Sequence, residues 1–361
     1  MKRRDIREIA GSYRRYVWRK WLIMFILLAV VLLIAVISMS VGSSGLSVGQ
    51  VIKTLFGGGT KQSSAIVWNV RMPRIMTAIA VGFALALAGC IMQNVLRNPL
   101  ASASTLGVSQ GASFGAAFAI ICLGAGSQVN SNMSGSAVSI TNPYVVTICA
   151  FAGGIITTLV ILGMARLRRS SPSSMILAGV ALSSLFTGGT ALIQYFADDV
   201  MVASVVYWTF GDLGRAGWNE ILFMFILNLG CLMFFMYNRW NYNAIESGVE
   251  TAKSLGVPVD GLILGSMCLA ALISAVSVAM VGCISFIGLI APHIVRKFVG
   301  SDHRFLIPCS GLAGSAVLLA ADLVSRTVVS PTILPIGALT SFLGAPLFLY
   351  MIFRRGGAKN D

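Results

Sequence analysis

Acid is scarce in this chain. Twelve Asp and Glu stand among 361 residues, against 26 Lys and Arg. They are Asp5, Glu8, Asp198, Asp199, Asp212, Glu220, Glu246, Glu250, Asp260, Asp302, Asp322 and Asp361, and none sits in the middle of an apolar run. A proton- or sodium-coupled carrier needs an ionisable group at membrane depth, so a secondary carrier is disfavoured. Histidine is nearly absent, with only His293 and His303. Without an HExxH, or a nucleophile and base at one depth, a membrane-embedded enzyme lacks its parts. No GxxxxGK[ST] occurs: Gly57-Gly58-Gly59-Thr60-Lys61 has the glycines without the spacing. Active transport would therefore draw its energy from another subunit. The seven cysteines (Cys90, Cys122, Cys149, Cys231, Cys268, Cys283, Cys309) lie in or beside apolar runs at no metal-ligand spacing. They read as small core hydrophobes. Neither a catalytic residue nor a metal site is expected.

What the chain has is apolar length. Hydrophobic residues make up 57% and charged residues 11%, a composition of an all-α polytopic membrane protein rather than a soluble domain. The net charge of +14 does not imply nucleic acid, because the charges sit in short clusters between apolar runs, as topology signals do. Ten spans are expected, at about 22–41, 75–96, 107–124, 143–165, 174–195, 219–237, 260–281, 284–295, 306–324 and 335–353. Residues 1–21 form a basic cytoplasmic arm, 22–355 the membrane domain and 356–361 a cytoplasmic tail. The first run is too long for a signal peptide and reads as a retained helix. With both termini inside, twenty of the 26 basic residues fall on the inner side.

The stretch that organises the rest is Arg71-Met72-Pro73-Arg74 and the uncharged run after it, ending at Arg97-Asn98-Pro99-Leu100. Arg71, Arg74 and Arg326 fall on one outer face. They are either interfacial anchors or a docking site for an acidic partner. Asp322 and Arg326 are spaced as an i,i+4 pair that leaves some guanidinium donors free. Gly107, Gly111 and Gly115 form a smooth stripe that reads as tight helix packing. The outer loop 125–142, rich in Ser, Asn and Gly, is expected to be flexible. The segment 198–218, with Tyr207 and Trp208, reads as a short interfacial helix. The inner stretch Glu246–Pro258 reads as a short amphipathic helix with a Gly C-cap, either a solvated connector or an interface for a cytoplasmic partner.

The ordered motifs resemble those of the FecCD-type permeases of ABC importers. The residues that carry the likeness are Arg71-Met-Pro-Arg74; Leu96-Arg-Asn-Pro-Leu-Ala101; Leu106-Gly-Val-Ser-Gln-Gly111; Ile176-Leu-Ala-Gly-Val180; Ala252-Lys-Ser-Leu-Gly-Val-Pro258; Phe286-Ile-Gly-Leu-Ile-Ala-Pro-His293; Ser301-Asp-His-Arg304; Ala321-Asp-Leu-Val-Ser-Arg326; and Leu334-Pro-Ile-Gly337 through Gly344-Ala-Pro346. They run from about residue 65 to the end, and the basic arm and the 125–142 loop look like additions.

The resemblance implies a type II importer permease in a bacterial or archaeal cell membrane. It implies ten helices per subunit and a pore between two permease subunits, a homodimer or close paralogues. Two cytoplasmic ABC ATPases carry the ATP and Mg, and an extracytoplasmic binding protein delivers the cargo; this chain binds no cofactor. The implied cargo is an iron(III) chelate, siderophore or haem, with cobalamin or an oxyanion such as molybdate as alternatives. Arg71, Arg74 and Arg326 match the arginines that meet glutamates on the binding protein, a role suited to the planar guanidinium fork. Asn98, Pro99 and Leu100, and Ser171, Pro172 and Ser173, match two cytoplasmic gate segments, the second departing from the family by its proline. Glu250, Ala252, Lys253, Leu255 and Gly256 match the coupling helix that enters a groove of the ATPase, with Ala252 expected to face that groove.

Overall fold

An apolar run in lipid has to satisfy its own backbone, and a helix is the one way a single segment does so. The computed structural model describes residues 3–41, 48–55, 57–129, 137–140, 142–168, 172–330 and 332–357. Helices follow one another as α1 (Arg3–Ser40), α2 (Val48–Leu55), α3 (Lys61–Ile66), a π-helical turn (Val67–Arg71), α4 (Met72–Val95) and α5 (Val108–Ala117) with a second π-turn (Phe118–Cys122). A two-stranded ribbon, β1 (Gly126–Val129) and β2 (Ala137–Ile140), comes next. The chain continues through α6 (Pro143–Arg168), α7 (Pro172–Tyr195), α8 (Asp199–Thr209), α9 (Trp218–Tyr237), α10 (Arg239–Ser247), α11 (Val249–Ser254) and α12 (Val259–Val281). It closes with α13 (Ile287–Val299), α14 (His303–Thr327) and α15 (Ile336–Gly357).

Each of the ten expected runs contains a helix. Among the described residues, seven helical stretches are long and apolar enough to cross a membrane by themselves: 13–40, 61–95, 143–164, 174–195, 218–237, 259–281 and 303–327. The runs expected at 107–124, 284–295 and 335–353 correspond to shorter apolar helices. The thirteen residues of α13 rise only about 20 Å. The rest of that crossing is the non-helical stretch Gly282–Phe286, in which Phe286 has φ +66°. Such backbone has to be enclosed by protein. Ile284 is buried, and the Cys283 carbonyl lies against Gly211 and Gly337, where a Cβ would collide.

The helices alternate between two ends. One, the arginine end, gathers the C-termini of α1, α12 and α14 with the start of α4. The other, the wedge end, gathers the start of α1, the end of α4, α10 and α11. At the wedge end α1 runs unbroken from the basic arm into the span. The arm is fastened there by Lys20, which is buried against the rings of Tyr16 (4.1 Å) and Phe305 (5.3 Å) with Asp302 at 3.7 Å.

Two expectations meet different outcomes. The 198–218 segment contains the short helix α8, as read. Within the 125–142 segment, read as flexible, β1 and β2 pair antiparallel, Gly126 opposite Ile140 and Val129 opposite Ala137, and both strands pack on α8; residues 130–136 and 141 lie outside the described residues. Uncharged Ser- and Gly-rich residues left its side chains no signature, while the backbone pairing against a helix supplied the order.

Helix α4 is the core. Nearly every residue from Pro73 to Val95 is buried, and α9, α12, α13 and α14 surround it. Lipid removes the hydrophobic drive between helices, so close backbone packing replaces it. Gly82 meets Gly314 of α14, and Gly89 meets Gly288 of α13, each where a Cβ would strike the partner's backbone. Gly89→Val is therefore expected to destabilise the protein by about 1–3 kcal/mol through overpacking. Gly261→Ala, into open space, should be neutral or slightly stabilising. Thermal unfolding of both variants in detergent checks this, and equal melting temperatures would contradict it.

Candidate functional site

At the arginine end the three expected docking arginines converge on a buried network. Asp322, one turn before the end of α14, is fully buried. Its Oδ1 accepts from Arg74 Nε at 2.7 Å and its Oδ2 from Arg326 Nε at 2.9 Å. Arg74 also reaches Asp212 Oδ1, 3.2 Å away on the α8–α9 loop. Arg71 is buried and donates to the Met39 carbonyl at 2.5 Å, at the end of α1. Arg326 donates to the Val41 carbonyl at 3.2 Å and to the Ser38 hydroxyl. The i,i+4 pair is present as read, but its guanidinium donors are spent inside the chain. The expectation of free donors is corrected: the last carbonyls of α1 lack intrahelical partners, and these arginines fill that need. Nearby Arg215 lies 5.8 Å from the Trp208 ring. Burial lowers its proton affinity, with Asp212 opposing.

At the wedge end, α4 stops in a left-handed residue. Arg97 has φ +46°, its N–H donates to Asn94 O (3.0 Å), and Asn98 N–H donates to Gln93 O (3.1 Å). This is a Schellman ending with arginine in the place of glycine. Asn98 Oδ1 then accepts from Leu100 N (2.8 Å), folding Asn98, Pro99 and Leu100 into an Asx turn with Leu100 exposed. The turn reaches α7 through Gly179, whose Cα backs onto Thr105 and Leu106. Ser171 lies outside the described residues; Pro172 and Ser173 open α7, where Pro at the first helical position fits because its missing N–H has no partner there in any case.

Between that turn and α7 is an open groove of about 480 Å³, lined by Ser104, Thr105, Gln110, Val180, Ser183, Ser184 and Thr187. It carries hydroxyls and an amide but no charge. Gly107, with φ +80°, is the left-handed residue before α5 and abuts Ser183 and Gly179; Gly111 and Gly115 abut Gly153 and Cys149 of α6. All three glycines let backbones approach, with two different helices as partners.

The expected coupling stretch is a two-helix wedge, α10–α11. Gly256 (φ +81°) ends it: Gly256 N–H donates to Lys253 O (2.9 Å) and Val257 N–H to Ala252 O (3.0 Å). This is the glycine cap read from the sequence. Glu250, Lys253, Leu255 and Gly256 are exposed, Leu255 at 69%. Ala252 is not: it is fully buried in this chain's own core. Its assignment to a partner-facing surface is corrected. On so short a helix the small residue faces the root of α12, and the apolar tip points outward.

The root of the wedge was not found from the sequence. Tyr242 is fully buried, its hydroxyl 2.7 Å from Ser266 of α12, and its carbonyl accepts from Asn94 Nδ2 at 3.2 Å. Asn243 Oδ1 accepts from His303 N (2.9 Å), and its Nδ2 donates to Asp302 (3.3 Å). The available signal was the polar pair Gln93-Asn94 at the end of an otherwise apolar span.

The comparisons agree with this geometry. The FecCD transport family model matches residues 27–354. A Methanocaldococcus jannaschii protein named as an ABC transporter permease is 51% identical over 347 residues, 96% of this chain and 98% of that protein. The hemin transport system permease of Yersinia pestis is 33% identical over 326 residues, 90% of this chain and 94% of that one. The vitamin B12 import system permease of Escherichia coli is 35% identical over 297 residues, covering 82% and 86%. A solved structure described as an inward-facing conformation of a metal-chelate type ABC transporter matches with a TM-score of 0.79 and 31% identity, covering 92% of this chain and 99% of that one.

Proposed function

The chain belongs to the FecCD transport family, a family of membrane permeases rather than enzymes, and we propose that it imports an iron(III) chelate, siderophore or haem, driven by ATP hydrolysis on separate subunits. The observation that carries the reading is the wedge α10–α11, which presents the apolar tip Leu255 while its root is locked into α4, α12 and α14. A rigid, capped protrusion at the end that also carries the basic arm suits a cytoplasmic ATPase. On this reading both termini are cytoplasmic, in keeping with the excess of basic residues on that side, and the arginine end is outside, where a binding protein docks. Arg71, Arg74 and Arg326 act there by holding the ends of α1, α4 and α14 in place beneath that docking face. The Asn98–Leu100 turn and the start of α7 form the inner gate, and a second copy of this chain completes the pore.

The groove supports the proposed cargo. A neutral wall of hydroxyls and an amide suits a bulky molecule whose metal charge is already masked by its chelator. A bare oxyanion would call for basic side chains, and the groove has none. Cobalamin shares that neutral periphery and is the second reading, supported by the relative named for vitamin B12. Reconstitution with the partner ATPase and binding protein tests both. ATP-dependent uptake of radiolabelled haemin or a ferric siderophore, in excess of vitamin B12 and molybdate, is expected. Uptake driven by an ion gradient without ATP would reject the importer, and preference for vitamin B12 would move the cargo.

A further inference from the structure

The wedge and the gate turn stand at the same end of the molecule, and one residue is bonded to both. Asn94 lies in the last turn of α4. Its main-chain carbonyl accepts from Arg97 N at 3.0 Å, which holds the start of the gate turn. Its side-chain Nδ2 donates to the carbonyl of Tyr242 at 3.2 Å, in the root of the wedge. The carboxamide is buried, and Oδ1 has no hydrogen-bond partner among the described residues. Above it, α4 is clamped by the Gly82–Gly314 and Gly89–Gly288 approaches and by Arg74 on Asp322. Below it, the chain turns on Arg97, a non-glycine residue in the left-handed region, where the backbone is strained. A displacement of α10 thus meets a fixed helix and a strained turn, with Asn94 at the joint.

We propose that Asn94 is the positioning residue that couples movement of the wedge α10–α11 to the Asn98–Leu100 gate turn. The inference rests on the gate and coupling assignments above. The unpartnered Oδ1 is costly in this arrangement, and a second arrangement of the turn or wedge that brought it a donor would be favoured by that amount. The physical warrant for coupling is an element whose equilibrium both sites bias, and the turn at Arg97 is that element.

The test reads the gate directly and needs no cargo. In a background with the native cysteines replaced, Leu100→Cys is introduced and the permease is purified with its ATPase in nanodiscs. Maleimide labelling of that position is measured with and without ATP and vanadate. The parent is expected to change its labelling rate about tenfold, as for a two-state population pushed from one side to the other. Asn94→Leu, which keeps size but removes the amide, should cut the change to about twofold or less while ATP hydrolysis persists. Asn228→Leu is the control: it deletes a like buried bond to α4, Nδ2 to the Ala80 carbonyl at 2.9 Å, far from the gate, and should keep the full response. Should Asn94→Leu fail to assemble, Asn94→Ser is read instead, because it leaves a small cavity and cannot span to Tyr242. A full response in the Asn94 variant overturns the inference. A parent that hydrolyses ATP without any change at position 100 refutes the gate assignment itself, and the inference falls with it.

Discussion

Asp322→Ala is expected to cost about 3–5 kcal/mol, the order seen when one partner of a buried ion pair is removed, and to leave little folded permease. Asp322 is fully buried and holds Arg74 and Arg326 on its two oxygens. Without it two guanidinium groups stay inside, and only Arg74 keeps a carboxylate, the half-exposed Asp212. Asp212→Ala is the contrast. Its side chain is 52% exposed and makes one ion pair, at 3.2 Å, besides accepting from Gly214 N at 2.9 Å, so its loss should cost no more than about 1 kcal/mol. Replacing Asp322, Arg74 and Arg326 together with leucine should restore much of the stability, because an apolar set avoids the desolvation of the charges. Thermal melts of the four proteins in one detergent give the answer. An Asp322→Ala protein that melts with the parent would mean that the arginines are solvated and free for docking.

The second large effect is expected at the tip of the wedge. Leu255→Glu should leave the permease folded, because Leu255 is 69% exposed, and should strip the ATPase from it. A charge forced into the centre of a desolvated contact typically loses about 2 kcal/mol or more, roughly thirtyfold in affinity. Copurification of the ATPase, with the melting temperature of the permease as control, measures it. Ala252→Arg would lose the ATPase as well, but for another cause: Ala252 is packed in this chain's own core, and arginine there breaks the wedge. Wild-type stoichiometry with Leu255→Glu would move the ATPase contact away from α11.

The arginine end shows why some of the site was readable and some was not. The Asp322–Arg326 pair is visible in one line of sequence because four residues make one helical turn. The bond from Arg74 to Asp322 spans 248 positions, and no local pattern announces it. Docking arginines and buried arginines have the same letters and the same flanks; only the neighbours that close over them separate the two. Ala252 teaches the same point at the other end. The glycine cap at Gly256 was legible, since a left-handed residue has few alternatives. Which face of α11 the cap turns outward was not.

What the sequence determined by itself is the class of protein and its helices. Long uncharged runs have no stable form in lipid other than helices packed together. Charge clusters set their alternation, and the ordered motifs set the family. The tertiary structure decided which polar groups work inside. It buried Arg71 and Arg74, paired Gly126–Val129 with Ala137–Ile140 on α8, and set Asn94 between the wedge and the gate turn. The reason is range: helix formation is decided by neighbours within a turn or two, whereas burial of a polar group is decided by whichever distant segment arrives to satisfy it.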